Sequence, residues 1–354
     1  MQDERFMERA LELARVPAFA SPNPRVGAVV VRDGVVVGEG AHRGPGSAHA
    51  EVTALEGIDA RGTTVYVTLE PCNHRGRTPP CAPVLVEAGV ARVVAATEDP
   101  DPRVAGTGFE VLRNAGIEVE AGVLREEAER LNRAYLHHRR TGRSFVSLKL
   151  ALTLDGRMTA PDGSSQWITG AEARRIVHAR RLECDAVMVG AGTALADDPK
   201  LTVRDVPAAR QPVRVVVDAV GRVPAEAAAL GERSIVATTA AAPHDVQIAW
   251  KETGAEVLVL PEGPGGVDLT ALVDALGARE IVEVLCEGGP RLASSLIRAG
   301  LAGRLELHYG PVLSGGGLTI ADLGVRSMAD GLRFEIEETA RAGDDLIVTL
   351  AGAL

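Results

Sequence analysis

Apolar residues recur at helical spacing in FMERALELA near the start of the chain, then crowd into VGAVVV and VVVGEG on either side of Arg32-Asp33-Gly34. The first run predicts an amphipathic helix, and the other two a hairpin closed by a tight Asp-Gly turn. AHAEVTALEGI returns to helical spacing, and TTVYVTLEP alternates like a strand and delivers the chain to Cys72. After Cys81, APVLVEAG reads as a helix and VARVVAATE as another buried strand. Helices alternating with strands in this way predict an α/β domain.

REEAERLNRAYLHHRRTGR predicts one polar helix stopped by Gly142, which puts a boundary near residue 143 and two domains at 1–143 and 144–354. Beyond it, SFVSLKLALTLDG, CDAVMVGAG, VRVVVDAV, SIVATT, AEVLVLP, IVEVLCEGG and LELHYGPVL read as buried strands, several separated by helical patterns. The second domain is therefore also α/β. No repeat of fixed period stands out.

The length of 354 residues agrees with two domains. Aromatics are only 3% against 46% hydrophobic residues overall, so the cores must be built from Val, Leu, Ala and Ile. No run reaches the roughly 18 apolar residues of a membrane span, and the charged amphipathic start is unlike a signal peptide, so no membrane partner and a cytoplasmic location are expected. The net charge is −10, and the 38 cationic residues include only three lysines, with no basic stripe. Nucleic acid is therefore not an expected partner, though a few arginines suit a small phosphate. Four cysteines are too few for a disulfide framework, and clustered cysteines in a reducing compartment bind metal or react.

Two of those cysteines bracket CNHRGRTPPC, and His49-Ala50-Glu51 opens the helix upstream. Zinc takes thiolate and imidazole ligands in a tetrahedron, and a catalytic site keeps three protein ligands with the fourth position open to water. His49, Cys72 and Cys81 supply the three, and Glu51 is left to shuttle protons. H-x-E followed by P-C and a second Cys is the signature of zinc base deaminases. Here eight residues separate the cysteines rather than two. Gly76 permits a bend, Pro79 and Pro80 stiffen the return, and Asn73, His74, Arg75, Arg77 and Thr78 would rim the pocket. The competing reading is a structural zinc site closed by His42 or His74.

The second domain offers weaker signals. Lys149 interrupts the apolar strand SLKLAL, so it either faces a polar cavity or lies on an edge strand in solvent. In EGGPRLASSL, glycines precede a helix whose free N–H groups suit an anion. Asp155-Gly156 and Asp197-Asp198-Pro199 are equally compatible with turns. Cys184 and Cys286 read as small core residues in apolar strands.

PNPRVGAVVV, GAHRGPGSAHAE, TLEPCNHRGRTPPC and DPDPRVAGTG resemble the deaminase half of the bifunctional deaminase/reductase of bacterial riboflavin biosynthesis. SLKLALTLDGRMTA, SSQWITG, VGAGTALADDPKLTVR and CEGGPRLASSL resemble its reductase half, in family order. The resemblance implies a cytidine-deaminase-like α/β/α domain followed by a dihydrofolate-reductase-like α/β domain. It implies zinc on His49, Cys72 and Cys81, with Glu51 as proton shuttle and Asn23, His42, His74 and Arg77 shaping the pyrimidine pocket. For the second half it implies NADPH, held by Ala151, Trp167, Thr193, Asp197 and the run Gly289, Pro290, Arg291, Leu292, Ala293, Ser294 and Ser295. Substrate positions are Ser165, Arg181, Leu201, Arg204 and Glu287, with Lys149 acting on the sugar oxygen.

The family further implies a homo-oligomer, dimer or tetramer, formed through the reductase half. Three departures stand out. Ala82-Pro83 follows Cys81 where Thr-Asp is usual, Ala219 replaces a frequent Ser beside the cofactor, and Val312 replaces a common Lys. The alternatives are a deaminase of nucleic-acid bases with a non-catalytic second domain, and a structural zinc module fused to a nucleotide sensor.

Overall fold

The structure is a computed structural model that describes residues 2–17, 19–74 and 79–352, and the chain divides into two compact units between Gly142 and Arg143. Unit 1 runs α1 (Gln2–Arg15), β1 (Gly27–Arg32), β2 (Val35–Ala41), α2 (Ala50–Leu55), β3 (Thr64–Val67), α3 (Cys81–Glu87), β4 (Arg92–Ala95), α4 (Thr107–Asn114), β5 (Glu118–Ala121), α5 (Arg125–Leu131) and α6 (Arg133–Thr141). Its sheet has the order β2-β1-β3-β4-β5, with β1 antiparallel to β2 and β3, and β3, β4 and β5 mutually parallel. Alternate residues of each central strand enter different cores. Ala28, Val30, Val65 and Val67 pack with Ala50, Leu85 and Phe109, while Val29, Val31 and Tyr66 pack with Phe6, Met7 and Leu11. A strand buried on both faces must be apolar at every position, which is why VGAVVV shows no polar alternation.

The helix expected to run unbroken to Gly142 is two helices. Asn132 interrupts it at φ −106° and ψ 17°. Its side chain accepts from the Arg25 N–H and donates to the Arg25 carbonyl, both at 2.8 Å. Pairing with a distant backbone draws Asn132 out of helical geometry, and that partner is invisible to local periodicity. The stop at Gly142 holds, with φ +75°.

Unit 2 runs β6 (Phe145–Thr153), α7 (Ala171–Glu183), β7 (Ala186–Gly190), α8 (Ala191–Asp197), β8 (Val213–Val217), β9 (Ser234–Thr238), α9 (His244–Glu252), β10 (Glu256–Val259), β11 (Glu262–Gly263), β12 (Gly266–Val267), α10 (Leu269–Gly277), β13 (Glu283–Cys286), α11 (Pro290–Arg298), β14 (Ala302–Gly310), β15 (Glu335–Ala342) and β16 (Asp345–Ala351). The large sheet has the order β10-β9-β8-β7-β13-β6-β14-β16-β15, parallel from β10 to β14 and antiparallel through β16 and β15. The β15/β16 hairpin went unrecognised in the sequence because EIEETARA mixes exposed charges with few apolar positions.

The two faces of this sheet differ in character. Leu148, Leu150, Met188, Val284 and Leu305 face an apolar core closed by α10 and α11. The opposite face is apolar only toward β7, β8 and β9, where α8 and α9 cover it. Over β13, β6 and β14 it carries Glu283 and Glu306, which accept from Arg180 of α7, and Ser147, whose hydroxyl donates to Glu283. Lys149 is on this polar half. Its strand lies between β13 and β14, so the edge-strand reading falls. Cys184 caps the end of α7 rather than lying in a strand, Cys286 ends β13, and both are fully buried.

Candidate metal centre and a second polar site

Three elements bring the unit 1 residues together. His49 is the N-cap of α2, and that helix lies close against β2, since a Cβ on Gly40 would stand 2.2 Å from the Ala50 carbonyl oxygen. Cys72 follows β3, beside a buried carboxylate. Glu70 accepts the N–H groups of Gly106 and Gly108 at 3.0 Å each, and a Cβ on Gly108 would meet the Pro71 carbonyl oxygen at 1.9 Å. The segment 106–108 thus pins the chain just before Cys72. Cys81 opens α3 behind the N-cap Pro80, and the Ala82 N–H donates to the Cys72 carbonyl at 3.1 Å.

His49 Nδ1 lies 3.1 Å from Cys81 Sγ and 3.5 Å from Cys72 Sγ, and the three ligand atoms fall within 4.8 Å of one another. A zinc ion held tetrahedrally at ordinary bond lengths would set a nitrogen and a sulfur ligand about 3.6 Å apart. The soft, mixed sulfur and nitrogen donor set fits zinc as well. Among the described residues the cluster has no fourth protein ligand.

His42, the proposed closing ligand, is engaged elsewhere. Its Nδ1 is 3.2 Å from the Ala48 carbonyl, which makes Nδ1 a donor and leaves Nε2 to accept from Asn23 Nδ2 at 2.9 Å. Its ring stands edge-on to His49 at 5.4 Å. Asn23 and His42 thus pair with each other, and His42 stands beside the ligand His49. His74 is partly buried, its Nδ1 without a hydrogen-bond partner among the described residues, and Arg75, Gly76, Arg77 and Thr78 lie outside those residues. Glu51, in the first turn of α2 and 4% exposed, stays outside the ligand set, and burial pushes its carboxyl up to about 6.

In unit 2, Arg181 grips Glu287 through two hydrogen bonds of 2.6 and 2.9 Å and also donates to the Thr202 carbonyl at 2.8 Å. This ties the loop carrying Leu201 and Arg204 to the site. The loop is further held by His178, whose Nδ1 accepts the Arg204 N–H at 3.2 Å. No sequence signal marked His178, because a helix histidine looks the same wherever it points. Lys149 is partly buried close to this group, its pKa lowered first by burial and raised in part by Glu287.

Burial raises the Asp197 carboxyl, and the Ser165 side chain acts on it in the opposite direction. Thr193 stands at the start of α11, its hydroxyl 3.0 Å from where a Gly289 Cβ would be. Trp167 is 69% exposed, with the Arg174 guanidinium 4.4 Å above its ring. Leu201, Leu292, Ala293 and Ser294 are buried, and Ser294 Oγ is taken up by the Pro290 carbonyl and the Ala321 N–H. These four can offer a ligand only backbone groups, whereas Gly289, Pro290, Arg291 and Ser295 keep some surface.

Residues 144–348 match the RibD C-terminal domain, and residues 1–97 the cytidine and deoxycytidylate deaminase zinc-binding region. Riboflavin biosynthesis protein RibD of Escherichia coli is 43% identical over 100% of both chains, and that of Aquifex aeolicus is 42% identical over 98% of this chain and 97% of its own. Among solved structures, Acinetobacter baumannii RibD is similar with a TM-score of 0.89 at 38% identity, covering 100% of this chain and 99% of that one. The Thermotoga maritima diaminohydroxyphosphoribosylaminopyrimidine deaminase/5-amino-6-(5-phosphoribosylamino)uracil reductase has a TM-score of 0.84 at 36% identity, covering 99% of each chain. With both halves matched in order along one chain, this protein belongs to the RibD family of riboflavin biosynthesis proteins.

Proposed function

We propose that this chain performs two consecutive steps of riboflavin biosynthesis. Unit 1 deaminates 2,5-diamino-6-ribosylamino-4(3H)-pyrimidinone 5′-phosphate with zinc. Unit 2 uses NADPH to reduce the ribosyl group of the product, giving 5-amino-6-ribitylaminouracil 5′-phosphate. The observation that carries this reading is the three-ligand cluster of His49, Cys72 and Cys81 with Glu51 buried beside it, the donor count of a catalytic rather than a closed zinc site.

Zinc, when bound, lowers the pKa of water toward about 7. Glu51 carries the two protons of the attacking water in turn, one to the ring nitrogen and one to the departing ammonia, as the C2–O bond forms and the C2–N bond breaks. Asn23 and His42, fixed to each other, orient the pyrimidine, with His74 and Arg77 completing the pocket.

NADPH, when bound, supplies hydride for the sugar C1′. Lys149 gives a proton to the sugar oxygen as the C1′–O bond opens. The paired Arg181 and Glu287, together with Arg204, Ser165 and the Leu201 backbone, hold the substrate and its phosphate. Ala151, Trp167, Thr193, Asp197 and the helix start from Gly289 to Ser295 take the dinucleotide, whose pyrophosphate suits free N–H groups. The chain acts as a homo-oligomer through unit 2 in the cytoplasm. Exposed apolar side chains there, Leu313 at 72% and Met328 at 84%, support the assembly.

The test is a coupled assay on the diaminopyrimidinone phosphate, with zinc measured beforehand. We expect about one zinc per chain, ammonia release, and then oxidation of NADPH. The same assay with NADH reports whether Ala219 has loosened cofactor choice. Deamination of an oligonucleotide without turnover of the free nucleotide would overturn the reading.

A further inference from the structure

His308 is 1% exposed on β14, and neither ring nitrogen has a hydrogen-bond partner among the described residues. Leaving a buried polar group unpaired is costly, so an orphaned imidazole in a core calls for a reason. The strand register supplies one. β14 runs parallel to β6 with Glu306 opposite Lys149 and His308 opposite Ala151, so Lys149 and His308 project from the same, polar face of the sheet.

Lys149 lacks partners too. It makes no hydrogen bond or ion pair with a described residue, and the two carboxylates acting on it are already committed. Glu287 is held by Arg181, and Glu306 accepts from Arg180 at 3.0 Å with Arg304 at 3.6 Å. An ammonium with three donors thus shares one face of the sheet with, and acts electrostatically on, an imidazole that has an empty acceptor. The groups acting on His308 are Lys149 from β6, Glu306 from its own strand, Arg180 from α7 and Glu287 beyond β13, while its neighbour on β16 is Ile347. Burial first, and then Lys149, hold the ring uncharged down to about pH 4, so its acceptor is available throughout the working range.

We propose that His308 is a positioning residue for reduction, its neutral ring accepting from the Lys149 ammonium through one buried water. It thereby keeps Lys149 charged and aimed at the sugar oxygen. The inference rests on the reductase reading for its purpose, but the contact can be tested without it. Lys149 is one of only three lysines, so the full chain with isotope-labelled lysine gives three side-chain signals, and Lys149→Met assigns one.

In His308→Leu, Lys149 should titrate on the order of one pH unit lower, because its charged form loses an acceptor. His308→Gln, which keeps an acceptor, should restore the wild-type titration. In turnover, His308→Leu should lower kcat for NADPH oxidation on the order of tenfold, as expected for one lost hydrogen bond. Its KM should be little changed, and the alkaline limb of kcat should move to lower pH. A Lys149 titration unchanged in His308→Leu would overturn the proposal. A wild-type chain that oxidises no NADPH would instead sink the reductase reading, and the lysine titration would still decide this one.

Discussion

Arg181 and Glu287, 106 residues apart in sequence, face each other through two hydrogen bonds of 2.6 and 2.9 Å in a largely buried site. The pair engages the Glu287 carboxylate just past the end of β13, which acts on Lys149, and so leaves that lysine without an ion-pair partner there.

Removing one member of that pair should cost more than removing both. Arg181→Met strands a buried carboxylate and should destabilise the chain by about 3–5 kcal/mol. Adding Glu287→Gln should recover much of it, as read by urea unfolding. Strictly additive losses would mean the two side chains are not coupled.

Glu51→Gln keeps the size of the side chain and removes its base. Ammonia release should fall by a factor of at least about 10² while zinc stays bound, measured by metal analysis of the purified variant. Deamination at the wild-type rate would exclude Glu51 as the proton shuttle.

Gly108→Ala places a methyl group where the Pro71 carbonyl oxygen already stands, 1.9 Å from an ideal Cβ. Cys72 must shift with Pro71, so the variant should bind less zinc and lose deamination. NADPH oxidation on supplied deaminated intermediate should remain. Full zinc occupancy in the variant would show that the loop relaxes without disturbing the ligand.

The stability of unit 2 should carry an acid signature from His308. Its folded pKa, about 4, lies below the ordinary 6.5 because burial disfavours the charged ring. The unfolded chain therefore binds the extra proton as pH falls through 6.5, and stability is lost progressively down to about pH 4. The loss is on the order of 3 kcal/mol. His308→Leu removes the titration, so the difference in unfolding free energy between wild type and variant should change across that window and be flat above it. A constant difference from pH 7 to pH 4 would place the ring in water.

The alternation of helix and strand, the α/β class of both halves and the four residues of the metal centre were legible because each depends on short-range order. Periodicity marks buried faces over a few residues; His49, Glu51 and Cys81 sit at helix starts and Cys72 in the loop after β3, where residue type and spacing make them readable. Asn132 was not legible, since what bends the helix is the backbone of Arg25, far away in sequence. The β15/β16 hairpin escaped for the opposite reason: a half-exposed strand has too little apolar pattern to announce itself.

Lys149 shows where the division falls. The sequence by itself determined that a lysine interrupts an apolar strand, and the resemblance attached a role to it. Only the tertiary structure decided that the strand is central, that its polar side faces α7, and that Arg181 and Arg180 have claimed the nearby carboxylates. His308 drew no notice in the sequence, because LELHYG reads as one more strand. Its significance depends on which residue lies opposite on β6 and on which partners are missing. Parallel strands are paired by crossovers many residues long, so which side chains come to share one face of the sheet is set by packing rather than by neighbours along the chain.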